Sequence, residues 1–205
     1  SVSSARDILN VTPRAIKDFG ANGLGATSDR AAFTSASSGA LITVSSGIYR
    51  ISTDTTLNSG RVWRFHPDAQ LSVDAGITVT FRDEVTSVSA TAQIFAGSGT
   101  VPGIRTVRPE WFGAVGTGTA NDSPALAKAH SCVEGSSASN GDGPEILLRG
   151  GANYGLGGTF ILRPTATMNL KMVGHGPIFQ GTRFTEISTF GTSDGSACIR
   201  IAGST

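Results

Sequence analysis

The side chains that could do acid–base chemistry in this 205-residue chain are Asp54, Asp68, Asp74, Asp83, Glu84, Glu110, Glu134, Asp142, Glu145, Glu186 and Asp194. Hydrolysis of a glycosidic bond needs two carboxyl groups about 5–10 Å apart across the sugar linkage. Elimination needs a base and a group that stabilises a carboxylate-bearing intermediate, such as Lys, Arg or a divalent cation. No two of these acids stand at i, i+2 on a convincing strand, where both would share a face. Asp83 and Glu84 are adjacent, so a strand would point them to opposite sides, and they read as a solvated turn. Acids distant in sequence meet only if successive coils of a repetitive fold align them.

The other chemical candidates are dispersed. His66, His130 and His175 lie far apart and read as surface or core-edge histidines rather than metal ligands. Trp63 and Trp111 could stack on sugar rings. Trp63, in the alternating run Arg61–Phe65, fits a half-buried strand, and Trp111 fits a packed junction between modules. Cys132 and Cys198 have no metal-type spacing and read as two buried thiols, with a disulfide as the alternative. Asp142, in the polar run SSASNGDG, belongs to an exposed loop. No residue is assigned to catalysis, to a cofactor or to a metal.

Composition limits the elements that could position such groups. Charged residues are only 15 %, there are 27 glycines, and Ser and Thr are frequent. Gly and Ser suit turns, and Thr, Val and Ile suit pleated surfaces, so an all-β chain with many short strands is expected and a helical bundle is not. A net charge of +1 without a basic face argues against nucleic acid. No run of about 18 apolar residues is present, which argues against a membrane-inserted helix, and the N-terminal SVSSARDILN lacks the apolar core of a secretory signal.

One sentence is written twice. AIKDFGANGLGATSDRAAF (15–33) and VRPEWFGAVGTGTANDSPAL (107–126) align without a gap, at a constant offset of 93 (112 − 19; 122 − 29). Phe19-Gly20-Ala21 falls on Phe112-Gly113-Ala114, Gly25 on Gly118, Asp29 on Asp122 and Ala32 on Ala125. In the first copy Ala15–Ala21 reads as a strand entering a Gly-rich turn. Asp29 then opens a short helix, where its carboxylate could accept the free N–H groups of the first turn. In the second copy Asp122 takes the same place, Pro124 sits in the first turn, and a longer amphipathic helix spans about 123–133. Strands follow each helix: Leu41–Val44 and Ile48–Ile51, then Glu145–Leu148, Tyr154 and Phe160–Leu162. Between the copies, strand-like pieces recur about every ten residues at Arg61–Phe65, Gln70–Val73, Ile77–Phe81 and Gln93–Phe95. The expected organisation is a leader at 1–14, an N-terminal β module with a short capping helix at 15–105, and a second module at 106–205.

The pattern FGA, Gly-rich turn, Asp, short helix, strand and Gly47-Ile48-Tyr49-Arg50-Ile51 resembles the opening of pectate-lyase-like right-handed parallel β-helices, particularly those of bacteriophage tailspikes and tail fibres. The stretch Gln93–Val101 with Val107–Ala114 is similar to phage tail proteins that place a small β-domain before the main helix. Val173-Gly174-His175-Gly176-Pro177 and Gly181–Ile187 look like the family's first coils. The resemblance implies a mainly β fold: a small β-domain followed by the capped start of a right-handed parallel β-helix. The family's paired acids stand here as Ser28-Asp29 and Asn121-Asp122, so only the second of each pair is kept.

A Gly-rich turn before a helix can bind phosphate, but here an Asp occupies the cap, and no phosphate-loop Gly-Lys-Ser/Thr follows. Phe19, Gly20, Asp29, Trp111, Phe112, Gly113 and Asp122 therefore read as a structural motif in which a short helix covers the open end of a coil stack, with Phe33 and Leu126 pointing inward. From Glu145 onward only two or three coils fit, and Ala197–Ala202 reads as an uncovered strand, so the chain is expected to be an N-terminal piece of a longer protein.

The resemblance implies the virion-proximal part of a homotrimeric tailspike or tail fibre, acting outside the host cell. Its partners would be other tail proteins and, through the parent protein, bacterial surface polysaccharide. This segment would be non-catalytic within a parent that is a candidate polysaccharide depolymerase. The alternatives are a polysaccharide-degrading or sugar-binding β-helix in its own right, and a bacterial extracellular or cell-surface β-helix.

Overall fold

The computed structural model describes residues 13–36, 40–58, 60–134 and 144–157, and the backbone of strands Phe160–Leu162, Lys171–Gly174, Arg183–Glu186 and Ile199–Ile201. His175, Cys198, Asp142 and Asp194 lie outside the described residues, as does the leader up to residue 12.

Alternation of apolar and polar residues builds short strands whose inward face is closed and outward face wet. In Leu41–Val44 the buried residues are Ile42 and Val44, and in Val62–Phe65 they are Trp63 and Phe65. In Ala69–Val73 they are Ala69, Leu71 and Val73. These strands pair in parallel, one coil above the next. The first ladder is Arg14–Ala15, Leu41–Val44, Val62–Phe65, Glu84–Ser87. The second is Leu24–Ser28, Gly47–Ile51, Ala69–Val73, Phe95–Gly97. A third, Thr55–Thr56 with Val79–Thr80, is extended by a parallel bridge from Thr78 to Thr100. Ile42, Trp63 and Val85 stand opposite one another, so one coil takes 21 (63 − 42) or 22 (85 − 63) residues. The first module, expected only as a small β-domain, is thus itself a stack of parallel coils.

The second module repeats the plan. Thr106–Val107, Glu145–Leu148 and Lys171–Gly174 form one parallel ladder. Thr117–Asn121, Asn153–Leu156 and Arg183–Glu186 form another, and Phe160–Leu162 pairs with Ile199–Ile201. The protein is therefore mainly β, a solenoid-like stack of parallel coils that carries two α-helices among the described residues.

The helices are α1 (Arg30–Ser35) and α2 (Ser123–Glu134), and each follows its copy of the motif. α1 buries Ala32 and Phe33, and α2 buries Leu126, Ala129, His130 and Val133, the spacing of one helical face. Phe33 and Leu126 are fully buried, as the sequence suggested.

Several local expectations change. Ala15–Ala21 is not a strand: Ile16–Phe19 forms a 3-10 turn, and Pro109–Phe112 forms its counterpart. The strands Thr55–Thr56 and Glu84–Ser87 carry too little apolar alternation to stand out in sequence. Asp83 is not in a solvated turn. It is buried and accepts hydrogen bonds from Arg61 N–H at 3.0 Å and from the Trp63 indole N–H at 3.0 Å.

A chain of aromatic rings joins the two ends of the first stack. Phe33 stacks on Trp63 at 5.3 Å, Trp63 meets Phe81 edge-on at 6.1 Å, and Phe81 meets Phe95 at 5.9 Å. Phe95 then touches Phe112 at 5.2 Å and Trp111 at 6.3 Å, in the second copy of the motif. One contiguous core runs through both modules. Truncating Phe95 to Ala should cost about 3–5 kcal/mol. Trp63 and Trp111 are the chain's two tryptophans, one in each module. Single-tryptophan variants should therefore report a lowered urea midpoint at both, and a shift at Trp63 alone would show that the rings do not couple the modules.

Candidate functional site

The doubled motif holds the site residues named from sequence, and the two copies are built alike. In each, a 3-10 turn ends on a glycine in the left-handed region, Gly20 at φ 91° and Gly113 at φ 97°. A side chain there would be strained, which accounts for the glycine in both FGA triplets. Next, a backbone bond ties the Gly-rich turn to the following coil: Ile48 N–H donates to Gly23 C=O at 2.8 Å, and Asn153 N–H to Gly116 C=O at 2.9 Å. The aspartate's own N–H closes the far side, Asp29 to Arg50 C=O at 2.8 Å and Asp122 to Gly155 C=O at 2.7 Å.

The aspartate side chains do something other than cap a helix. The Asp29 carboxylate makes no bond to the first turn of α1. Its Oδ1 accepts Asn22 N–H at 2.7 Å, seven residues back. Asp122 Oδ1 accepts the equivalent Val115 N–H at 2.7 Å, while its Oδ2 accepts Gly116 N–H at 3.2 Å and Gly155 N–H at 3.1 Å. Both residues are buried, at 4 % and 1 % exposure. A buried carboxylate is tolerated only when its charge is met by donors, and here the donors are the backbone of the turn that the motif must fold. The two copies differ in completeness, since Asp29 Oδ2 has no hydrogen-bond partner.

A buried tyrosine completes each copy. Tyr49 donates to Ser45 C=O at 2.9 Å, and the ring fills the space beside Gly23. Tyr154 instead donates to Glu110 Oε1 at 2.6 Å and accepts Arg149 N–H at 3.0 Å. Arg149 Nε also reaches Glu110 Oε1, at 3.2 Å. Burial pushes both phenols above their ordinary value, and for Tyr154 the hydrogen bond to Glu110 pushes the same way. Glu110, read from sequence as a free acid, is thus 1 % exposed and held by a tyrosine and an arginine.

The structure places the remaining candidates apart. Phe19 is partly buried with the Arg14 guanidinium 4.2 Å above its ring. Trp111 and Phe112 are buried between the modules, beneath Phe95. Trp63 lies in the core, so its ring is not available to a sugar. His66 sits 3.0 Å from Ser46 Oγ and 3.6 Å from Asp68. His130 is buried beside Glu134 at 3.5 Å. Cys132 is a buried free thiol, which burial pushes up to about 12.

Two other carboxylates, Asp74 and Asp54, serve as ties as well. Asp74 forms an ion pair with Arg50 at 2.7 Å, and that hydrogen bond holds its carboxyl below the usual range. Asp54 accepts Thr78 N–H at 2.8 Å from the next coil. Among the described residues no three His, Cys, Asp or Glu side chains are grouped to hold a metal ion, and no helix is long and apolar enough to cross a membrane. Comparison with protein-family models, curated proteins and solved structures gives no match.

Replacing Asp122 with Ala strands three N–H groups, each costing about 1–3 kcal/mol, whereas Asp29→Ala strands one. Asp122→Ala should therefore destabilise more in urea titration, and amide exchange should speed up first at Val115, Gly116 and Gly155. Equal losses at the two positions would refute the turn-locking role.

The tyrosines give a pH dependence. Folding favours the protonated phenol, so the stability it supports is whole below the ordinary tyrosine value of 10.0 and is lost as pH rises through the higher folded value. Cys132 acts in the same direction, from its ordinary value of 9.0. In a Cys132→Ala background, the unfolding midpoint should be flat from neutral pH to about pH 10 and fall above it. The fall should be shallower in Tyr154→Phe, and an unchanged slope would contradict the buried assignment.

Proposed function

We propose that this chain is a structural, virion-proximal portion of a trimeric phage tailspike or tail fibre, joining the particle to a host-surface polysaccharide-recognising β-helix body. Support comes first from the doubled motif, which resembles the opening of that family's parallel β-helices, and from the stacked parallel coils that follow each copy.

The observation that carries the reading is where the second motif sits. The Trp111 C=O accepts Ile94 N–H at 3.2 Å from the last coil of the first stack, and Lys128 of α2 donates to Gly97 C=O at 2.9 Å. Phe95 packs on both Trp111 and Phe112. Load placed on one module would therefore pass to the next through packed rings and backbone bonds rather than through a flexible linker, as a connector requires. Asp29, Asp122 and Glu110 each hold a turn or coil through at least one carboxylate oxygen, which favours a connector over a catalytic centre in this segment.

Incubating the purified chain with capsular polysaccharide or lipopolysaccharide should release neither reducing nor unsaturated ends. Antibodies raised against it should decorate the tail-proximal region of phage particles in electron micrographs, and light scattering should give the mass of a trimer. Turnover by this chain alone would favour the enzymatic reading. A clean monomer at micromolar concentration would count against self-sufficient trimerisation.

A further inference from the structure

We draw no further inference here: the strongest candidate, the exposed apolar pair Leu24 and Ile48, register partners on the outer face of the ladder formed by strands Leu24–Ser28 and Gly47–Ile51, carries nothing because nothing in the structure shows what covers it.

Discussion

The hydrogen bond from a turn amide to a buried aspartate seven residues later is the contact on which each module rests. Each ladder of parallel coils must have a first strand, which among the described residues has no earlier strand of its own ladder to pair with. Here it begins where the chain folds back on itself. The 3-10 turn, the left-handed glycine and the Gly-rich turn bring residues 22–23 or 115–116 beside the coil that follows. The carboxylate of Asp29 or Asp122 fixes the turn there. Without that acceptor the Asn22 and Val115 amides would lose their partner in the turn, and in the second copy the buried Gly116 and Gly155 amides would be left unpaired. A charge-assisted bond of this kind is worth about 1.5–3 kcal/mol, enough to choose one turn conformation over its competitors.

Once the start is fixed, packing propagates it. Successive coils place inward residues over inward residues at steps near 22, so large rings in one coil find rings in the next. Shape rather than pairing chemistry sets the order. Phe33 lies nearly parallel to Trp63, with 16° between the planes, while the Trp63–Phe81 and Phe81–Phe95 contacts are edge-on or tilted. Asp83 enters this core with both oxygens answered, by the Trp63 indole and the Arg61 backbone.

Much of this was legible in the sequence, and the failures have local causes. The helix starts, the inward-facing Phe33 and Leu126 and most strands follow from alternation, Gly spacing and the exact repeat. The role of Asp29 was misread because an aspartate before a helix has the same local signature whether it bonds forward to the first turn or backward to an earlier one. Asp83 was misread because its partners, Arg61 and Trp63, lie 22 and 20 residues away, and a coil-length separation leaves no mark in a short window. Glu110 failed similarly: Tyr154 is 44 residues on and Arg149 is 39. One signal could have found it. At the repeat's constant offset Glu110 stands where the first copy has Lys17, a reversal of charge two residues before the matched Phe-Gly-Ala triplet.

That reversal follows from position in the stack. Lys17 and Asp18 are exposed, and a side chain added at Gly20 would meet nothing within 4 Å, so the first cap turns this face away from the described residues. Their counterparts Glu110 and Trp111 are buried, and a side chain at Gly113 would meet Gln93 at 3.3 Å, because the first stack lies across the second cap. A solvated cap can leave its charges to water. A covered cap must replace one with an aromatic ring and neutralise the other internally, and Arg149 and Tyr154 do so for Glu110. The pair is closed on the Glu110 side and open on the Arg149 side, whose side chain is 30 % exposed, so removing Arg149 leaves a buried carboxylate with only Tyr154 to hold it. The pair's effect is to penalise any arrangement in which the second module forms without its first coil in register. The same motif thus serves twice, as an outer cover in one copy and as an internal joint in the other, and the residues that differ between the copies are those that the change of surroundings requires.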